Sequence, residues 1–370
     1  MQRNILKAFI ILTFDDMKKI KYTFAIFTIF TCIVFFFDGV GDFLLYARYK
    51  IMQPSMKSKF IEHLPDSVDK AFYSNSFDDT NKFIYQNVPF LGRTITSGNY
   101  GIYEIDGYSH RVFKKMESND FDKEKSLLIL GSSQSFGYYN DVSDTISEEI
   151  KRILPGYTID NYSMPGTNLD DNLMDWYRVA NVENKKYNLV VIINGNFSHY
   201  KECLGIDYNF FETLIDKYRL PAIVSIGNII KIKALQNKAI QNENIFCELP
   251  EYQDVAAKRV LDRWNRLINF GKEQGSDVLI FIPPTVWSGK ANVENLQPLL
   301  NEKYKKIYSS INNAIYSKVN NEVIVNLTNA FDDGAQYFLD VSSHFTPEGS
   351  ALLAKDIVKH IEKIEHKVSD

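Results

Sequence analysis

An α/β fold, with a parallel sheet covered by helices on both faces, is predicted by two features of the chain from residue 126 onward. Short, continuously apolar runs alternate with amphipathic stretches of helical length. Each apolar run also ends in a polar segment that carries glycine, serine, asparagine or histidine. A strand that is apolar at every position is buried on both faces, which an open antiparallel sheet does not require.

The elements follow in order. SLLILG (126–131) reads as the first buried strand, and 141–153, with its acidic start, as a helix. YTIDNYSMPG (157–166) is a second strand ending in a Pro-Gly turn, followed by a helix over 168–182. YNLVVIINGN (187–196), SDVLIFIPP (276–284) and NEVIVNLTNAF (321–331) supply three more strands. Helical patterns cover 253–273, about 296–318 and 347–365. Residues 204–250 read as an insertion, and 85–120 as short glycine-punctuated strands packed on the main domain.

Ahead of this lies Tyr22–Phe37, sixteen residues without charge, whose apolar character resumes after Asp38. With Lys18, Lys19 and Lys21 able to snorkel, the stretch 22–46 is expected to be a transmembrane signal anchor. A buried helix and a cleaved signal peptide are the alternatives, but no small-x-small cleavage site follows the run. Arg3, Lys7, Lys18, Lys19 and Lys21 precede it, against Arg48, Lys50 and Lys57 soon after, so residues 1–21 are expected in the cytoplasm. The remainder would be extracytoplasmic: a membrane-proximal region at 47–120 and a catalytic domain at 121–370.

The bulk numbers exclude little else. The chain of 370 residues is 45% hydrophobic with 24% charge, a folded composition. A net charge of −4 offers no field for nucleic acid, so no such partner is expected. Cys32 lies in the span, leaving Cys203 and Cys247 as either one disulfide or two free thiols. No Cys/His ligand cluster is visible, and neither metal nor organic cofactor is expected.

The chemistry concentrates in GSSQSFG (131–137). A P-loop would need four residues between its glycines and then Lys-Ser/Thr, whereas here five intervene and Tyr138 follows. A dinucleotide loop would need a glycine at 133. A serine at a strand end that opens a helix fits a nucleophile, with backbone N–H groups beside it for an oxyanion; a helix cap is the structural alternative. Of six histidines, His344 is the best general base, on a loop after Asp340 and before a Pro347 helix start. His63, His110, His199, His360 and His366 are better accounted for as structural or solvated.

Taken together, these residues resemble the SGNH (GDSL-like) hydrolases. Ser133 in GSSQSFG matches that family's first block, Gly166 in NYSMPGTN the second, Asn196 in NGNFSHY the third and His344 in HFTPEG the fourth. The resemblance spans about residues 120–365. It implies a three-layer α/β/α, flavodoxin-like fold, in which Ser133 attacks an ester carbonyl and His344 serves as base and then acid. It further implies an oxyanion held by the Ser133 N–H, the Gly166 N–H and the Asn196 amide. The chain departs from the family at two points. The family's acid stands three residues before the histidine, but here Val341 holds that place and Asp340 lies four before. A one-residue bulge would bring Asp340 to the imidazole; otherwise a backbone carbonyl or Asp333 orients it. The third block, commonly G-x-N-D, has Asn196 directly after Gly195. An α/β-hydrolase elbow, G-x-S-x-G, fits less well, because Ser135 stands at its second glycine.

The expected activity is that of an esterase or O-acyltransferase acting on an acylated, chiefly O-acetylated, cell-surface glycan. The alternative is a non-catalytic envelope protein that uses the same scaffold to position a glycan or an assembly partner.

Overall fold

The computed structural model describes residues 51–88, 92–112, 125–194, 250–316 and 322–369, together with Tyr22. The chain divides into two units, one of Ser55–Tyr208 with Glu243–Asp370 and one of Met1–Pro54 with Asn209–Asn242. Apart from Tyr22 and Pro250, the predicted span 22–46 and the segment 204–250 lie outside the described residues, as do Asn196, His199 and all three cysteines. Among the described residues no helix is long and apolar enough to cross a membrane.

After a helical stretch over 51–62, the larger unit carries helix α1 (Lys70–Thr80), started by Asp69, whose carboxylate accepts from the Ala71 and Phe72 N–H groups. Two antiparallel pairs follow, β1 (Tyr85–Val88) with β2 (Gly92–Ile95) and β3 (Gly98–Tyr100) with β4 (Tyr103–Ile105). After them come β5 (Lys125–Gly131), the single turn α2 (Ser133–Phe136), α3 (Ile146–Ile153), β6 (Tyr157–Asn161), α4 (Leu169–Asn181) and β7 (Leu189–Ile193). The chain then continues through α5 (Pro250–Gln274), β8 (Asp277–Ile282), α6 (Glu302–Ala314), β9 (Ile324–Asn326) and α7 (Pro347–Ser369).

Strands β5 to β9 form one wholly parallel sheet in the order β6-β5-β7-β8-β9. Numbered within the sheet this is 2-1-3-4-5, the flavodoxin-like order. Side chains alternate between two cores. Leu128, Leu130, Val190 and Ile280 pack with Trp176 of α4 and Trp264 of α5, while Leu127, Ile129, Val191 and Phe281 pack with Ile150 of α3 and Ile357 of α7. The central strands β5, β7 and β8 are apolar along their buried lengths because both their faces are dry, so the three layers follow from the sequence pattern, while the edge strands β6 and β9 are mixed.

Two predicted helices start or break differently. The stretch 141–153 is helical only from Ile146, because Asp141 caps a separate 3₁₀ turn at Val142–Asp144 and Thr145 is extended. The stretch 296–318 divides into a 3₁₀ segment, Glu294–Leu299, and α6. Pro298 lacks the N–H that an α-helix would need there, and Leu300 is extended.

The short strands are more than a covering. Tyr103, Tyr100 and Phe83 pack against Phe136 of α2 in a core of their own. Beside β4, the buried Arg111 donates to the carbonyls of Phe136 (3.0 Å), Gly137 (3.0 Å) and Asn140 (2.9 Å), and its guanidinium lies 4.5 Å from the Tyr103 ring centroid. It therefore satisfies the carbonyl end of the α2 turn, where a positive charge is favoured. The adjacent His110 stacks on Tyr162 with ring centroids 3.5 Å apart and hydrogen-bonds Arg178 of α4. Burial, with Arg178 and Lys185 nearby, holds His110 well below the usual histidine range, as a neutral ring. The 98–112 segment is thus fastened at both α2 and α4.

Replacing Arg111 by Met leaves buried carbonyls without their charged donor and is expected to cost about 3 kcal/mol. Urea unfolding of Arg111→Met against the parent measures this; a change below about 1 kcal/mol would show that solvent or the backbone takes over those bonds.

Candidate active site

The site is built at the carboxyl edge of the sheet, beginning with the end of β5. Gly131 is packed so closely that an added Cβ would lie 2.1 Å from Ser135 Oγ and 2.4 Å from the Ile193 carbonyl oxygen. The missing side chain lets the chain turn sharply through Ser132, which is extended, into α2. Gly137, at φ 74°, closes that turn in a left-handed conformation that favours glycine. Ser133 is therefore the first helical residue, half-exposed, while Ser135 is buried and donates back to the Ser132 carbonyl (3.0 Å). The choice of Ser133 over Ser135 rests on that difference in exposure.

The Gly131 carbonyl gathers the next segments. It accepts from Met164 N (3.2 Å), Thr167 Oγ1 (2.8 Å) and Asn172 Nδ2 (3.2 Å). These bonds set the loop after β6, in which Gly166 takes φ 82°. Asn172 in turn accepts from Asn194 Nδ2 (2.7 Å), at the end of β7.

On the far side of the sheet, Phe338 pairs with Phe345 antiparallel, so residues 339–344 form a tight loop. Ser343 sits at φ 68°, an uncommon conformation for a residue with a side chain, and its N–H donates to the Asp340 carbonyl (3.1 Å). That turn takes up the extra residue between Asp340 and His344. His344 Nδ1 lies 2.7 Å from Asp340 Oδ2, and Asp340 Oδ1 accepts from the N–H groups of Ser342 (3.0 Å) and His344 (3.2 Å). With the carboxylate accepting, Nδ1 carries the proton and Nε2 is the basic nitrogen. Asp333, the other acid considered, bonds Tyr337 and Ala335 instead.

The imidazole is gripped by two aromatic rings. Tyr138 stacks on it at 4.7 Å and 25°, and Tyr139 meets it edge-on at 5.2 Å and 90°. Burial pushes both phenols upward from the usual tyrosine range, so neither competes as a base at neutral pH. Gln134, the residue after Ser133, donates to the Ser343 carbonyl (2.9 Å) and the Pro284 carbonyl (3.2 Å). It ties the serine turn to the histidine loop and to the chain leaving β8.

Ser133, Gly166, Asp340 and His344 line one cavity of about 730 Å³, together with Asn194. No hydrogen bond joins Ser133 to His344 among the described residues, and such pairs often tighten only when substrate is bound. Of the other described histidine side chains, His63 bonds the Lys59 carbonyl and His360 the Asp356 carbonyl. Among the described residues no group of three or more His, Cys, Asp or Glu could hold a metal ion. Sequence reasoning did not single out Gln134, Asn194, Tyr138 or Arg111. Only Gln134 had a local signal, its place inside the serine motif.

No family model and no curated protein matches the chain. Among solved structures it is similar to TesA, at 14% identity and a TM-score of 0.33, over 65% of this chain and 99% of that one. A second is a member of the lipolytic protein G-D-S-L family from Veillonella parvula DSM 2008, at 11% identity and a TM-score of 0.34, over 63% and 96%. A third is an acetylxylan esterase from Geobacillus stearothermophilus, at 15% identity and a TM-score of 0.32, over 65% and 94%.

A methyl group at position 131 has no space without moving Ser135 and the β7 backbone. Gly131→Ala is expected to lose about 1–3 kcal/mol of stability, the usual cost of overpacking. Chemical denaturation checks it; wild-type stability would mean that the end of β5 yields freely.

Proposed function

We propose that this chain is a serine-dependent ester hydrolase or O-acyltransferase of the SGNH type. The observation that carries the reading is the Asp340–His344 hydrogen bond on the wall of the cavity that Ser133 also lines. It supports a catalytic role over a purely structural scaffold, because a buried, carboxylate-oriented imidazole lining the same cavity as a half-exposed serine is what acyl transfer needs.

In this reading the Ser133 hydroxyl attacks the ester carbonyl carbon while His344 Nε2 takes its proton. The oxyanion that forms accepts from the N–H groups of Ser133 and Gly166, with Asn196, which lies outside the described residues, assigned as a third donor by the family resemblance alone; each such donor contributes about 3–4 kcal/mol in comparable sites. Collapse breaks the ester C–O bond, and His344 returns the proton to the leaving alcohol. Water then releases the acid from Ser133, or a second hydroxyl takes the acyl group. The substrate we favour is an O-acetylated cell-surface glycan outside the cytoplasm, reached by a domain held at the membrane through residues 22–46. The charge pattern around that span and the resemblance to the SGNH family support this assignment.

A fluorophosphonate probe is expected to label the full-length protein at Ser133, and aryl acetate hydrolysis to fall at least about 10³-fold in Ser133→Ala and in His344→Ala. Labelling or turnover that survives Ser133→Ala overturns the assignment. Adding a polysaccharide acceptor and comparing acyl transfer with acetate release separates transferase from hydrolase. For the anchor, a C-terminal reporter active only outside the cytoplasm should be active in cells; a silent reporter with normal expression refutes the orientation.

A further inference from the structure

The cavity has a second wall that the acyl-transfer chemistry does not use. Trp287, Tyr304 and Tyr308 line it, with the Trp287 and Tyr308 rings parallel (1°, centroids 6.1 Å) and Tyr304 5.9 Å from Trp287. Thr285 and Asn301 line the same cavity, and among the described residues its aliphatic lining is Pro165, Leu299 and Val341. At about 730 Å³ the space exceeds what an acetyl group needs, so most of it must receive the alcohol half of the ester or a long acyl chain.

The composition of the wall decides between these. An alkyl chain gains most from continuous aliphatic surface, which is scarce among the described lining residues. A pyranose ring has the opposite character. Its axial C–H face packs on an aromatic plane, and its equatorial hydroxyls meet amides and hydroxyls at the rim. We infer that Trp287 and Tyr304, with Asn301, form a subsite for one pyranose ring of the substrate, next to the ester presented to Ser133.

The wall is also fixed relative to the reacting atoms. Trp287 N donates to Thr285 Oγ1 (3.3 Å), Thr285 N to Ser288 Oγ (2.8 Å), and Val286 N to Ser343 Oγ (3.1 Å). The Gln134 amide closes the circuit by holding the Pro284 and Ser343 carbonyls. The loop bearing Trp287 is thus bonded to the residue preceding His344 and to the residue following Ser133. A ring bound there would be registered against nucleophile and base with little left to order on binding.

The inference rests on the ester-transfer reading for its chemistry, but ring binding can be measured without turnover. Saturation-transfer NMR of methyl hexopyranosides with full-length Ser133→Ala protein is expected to show binding, weakened at least tenfold by an added Trp287→Ala or Tyr304→Ala. Because Trp287 also packs against the core, the more exposed Tyr304 provides the variant less dependent on folding. In the Ser133-intact protein, the kcat/KM ratio of an O-acetylated methyl pyranoside to an aryl acetate should fall tenfold or more in Tyr304→Ala, chiefly through KM. Absence of pyranoside binding, binding indifferent to both substitutions, or a wild-type preference for an aryl octanoate over the acetate overturns the subsite. Pyranoside binding without any Ser133-dependent turnover would uphold it and overturn the catalytic reading alone.

Discussion

The Gly131 backbone is the point from which the site is assembled. Its carbonyl holds the β6 loop and the start of α4 through Met164, Thr167 and Asn172, and its missing side chain lets Ser135 fold back beneath the turn bearing Ser133. Three donors on one buried carbonyl leave the loop carrying Gly166 few alternative positions. The parallel sheet brings the strand ends to one edge, and this packing around one glycine turns proximity into a defined geometry.

A second set of bonds works on the histidine side. Asp340 is held by two backbone N–H groups before it meets the imidazole, so its orientation does not depend on the imidazole alone. Tyr138 and Tyr139 restrict the ring on two sides, and Gln134 joins its loop to the serine turn. Acyl transfer asks for atoms held to within about half an ångström. Here that precision would come from residues that never touch the substrate carbonyl: Arg111 through the α2 carbonyls, Gln134 through Ser343, and Asn172 through Gly131.

The N-terminal short strands take part in the same arrangement. Phe83, Tyr100 and Tyr103 enclose Phe136, and Arg111 is buried among them. The turn bearing Ser133 is therefore packed from outside the α/β layers as well as from within. A substitution in this region would act on the site through α2, although no residue between 98 and 112 lines the cavity.

The layer architecture was legible in the sequence because it depends on a local quantity, the unbroken apolar character of β5, β7 and β8, which only burial on both faces explains. That Ser133, Gly166 and His344 meet at one cavity was legible for a related reason, since each follows a strand or precedes a helix at the same sheet edge. The helix starts were less so: Asp141 and Pro298 redirect the backbone by capping and by a missing N–H, and neither disturbs the apolar period. Asp340 was legible as a candidate partner of His344, but not whether it reaches the ring. The four-residue spacing of Asp340 and His344 allowed contact or separation, and the φ of 68° at Ser343 decided for contact. Gln134, Arg111 and the Trp287 wall were likewise decided by tertiary structure, because their partners lie far along the chain and one sequence carries no record of which distant groups will meet.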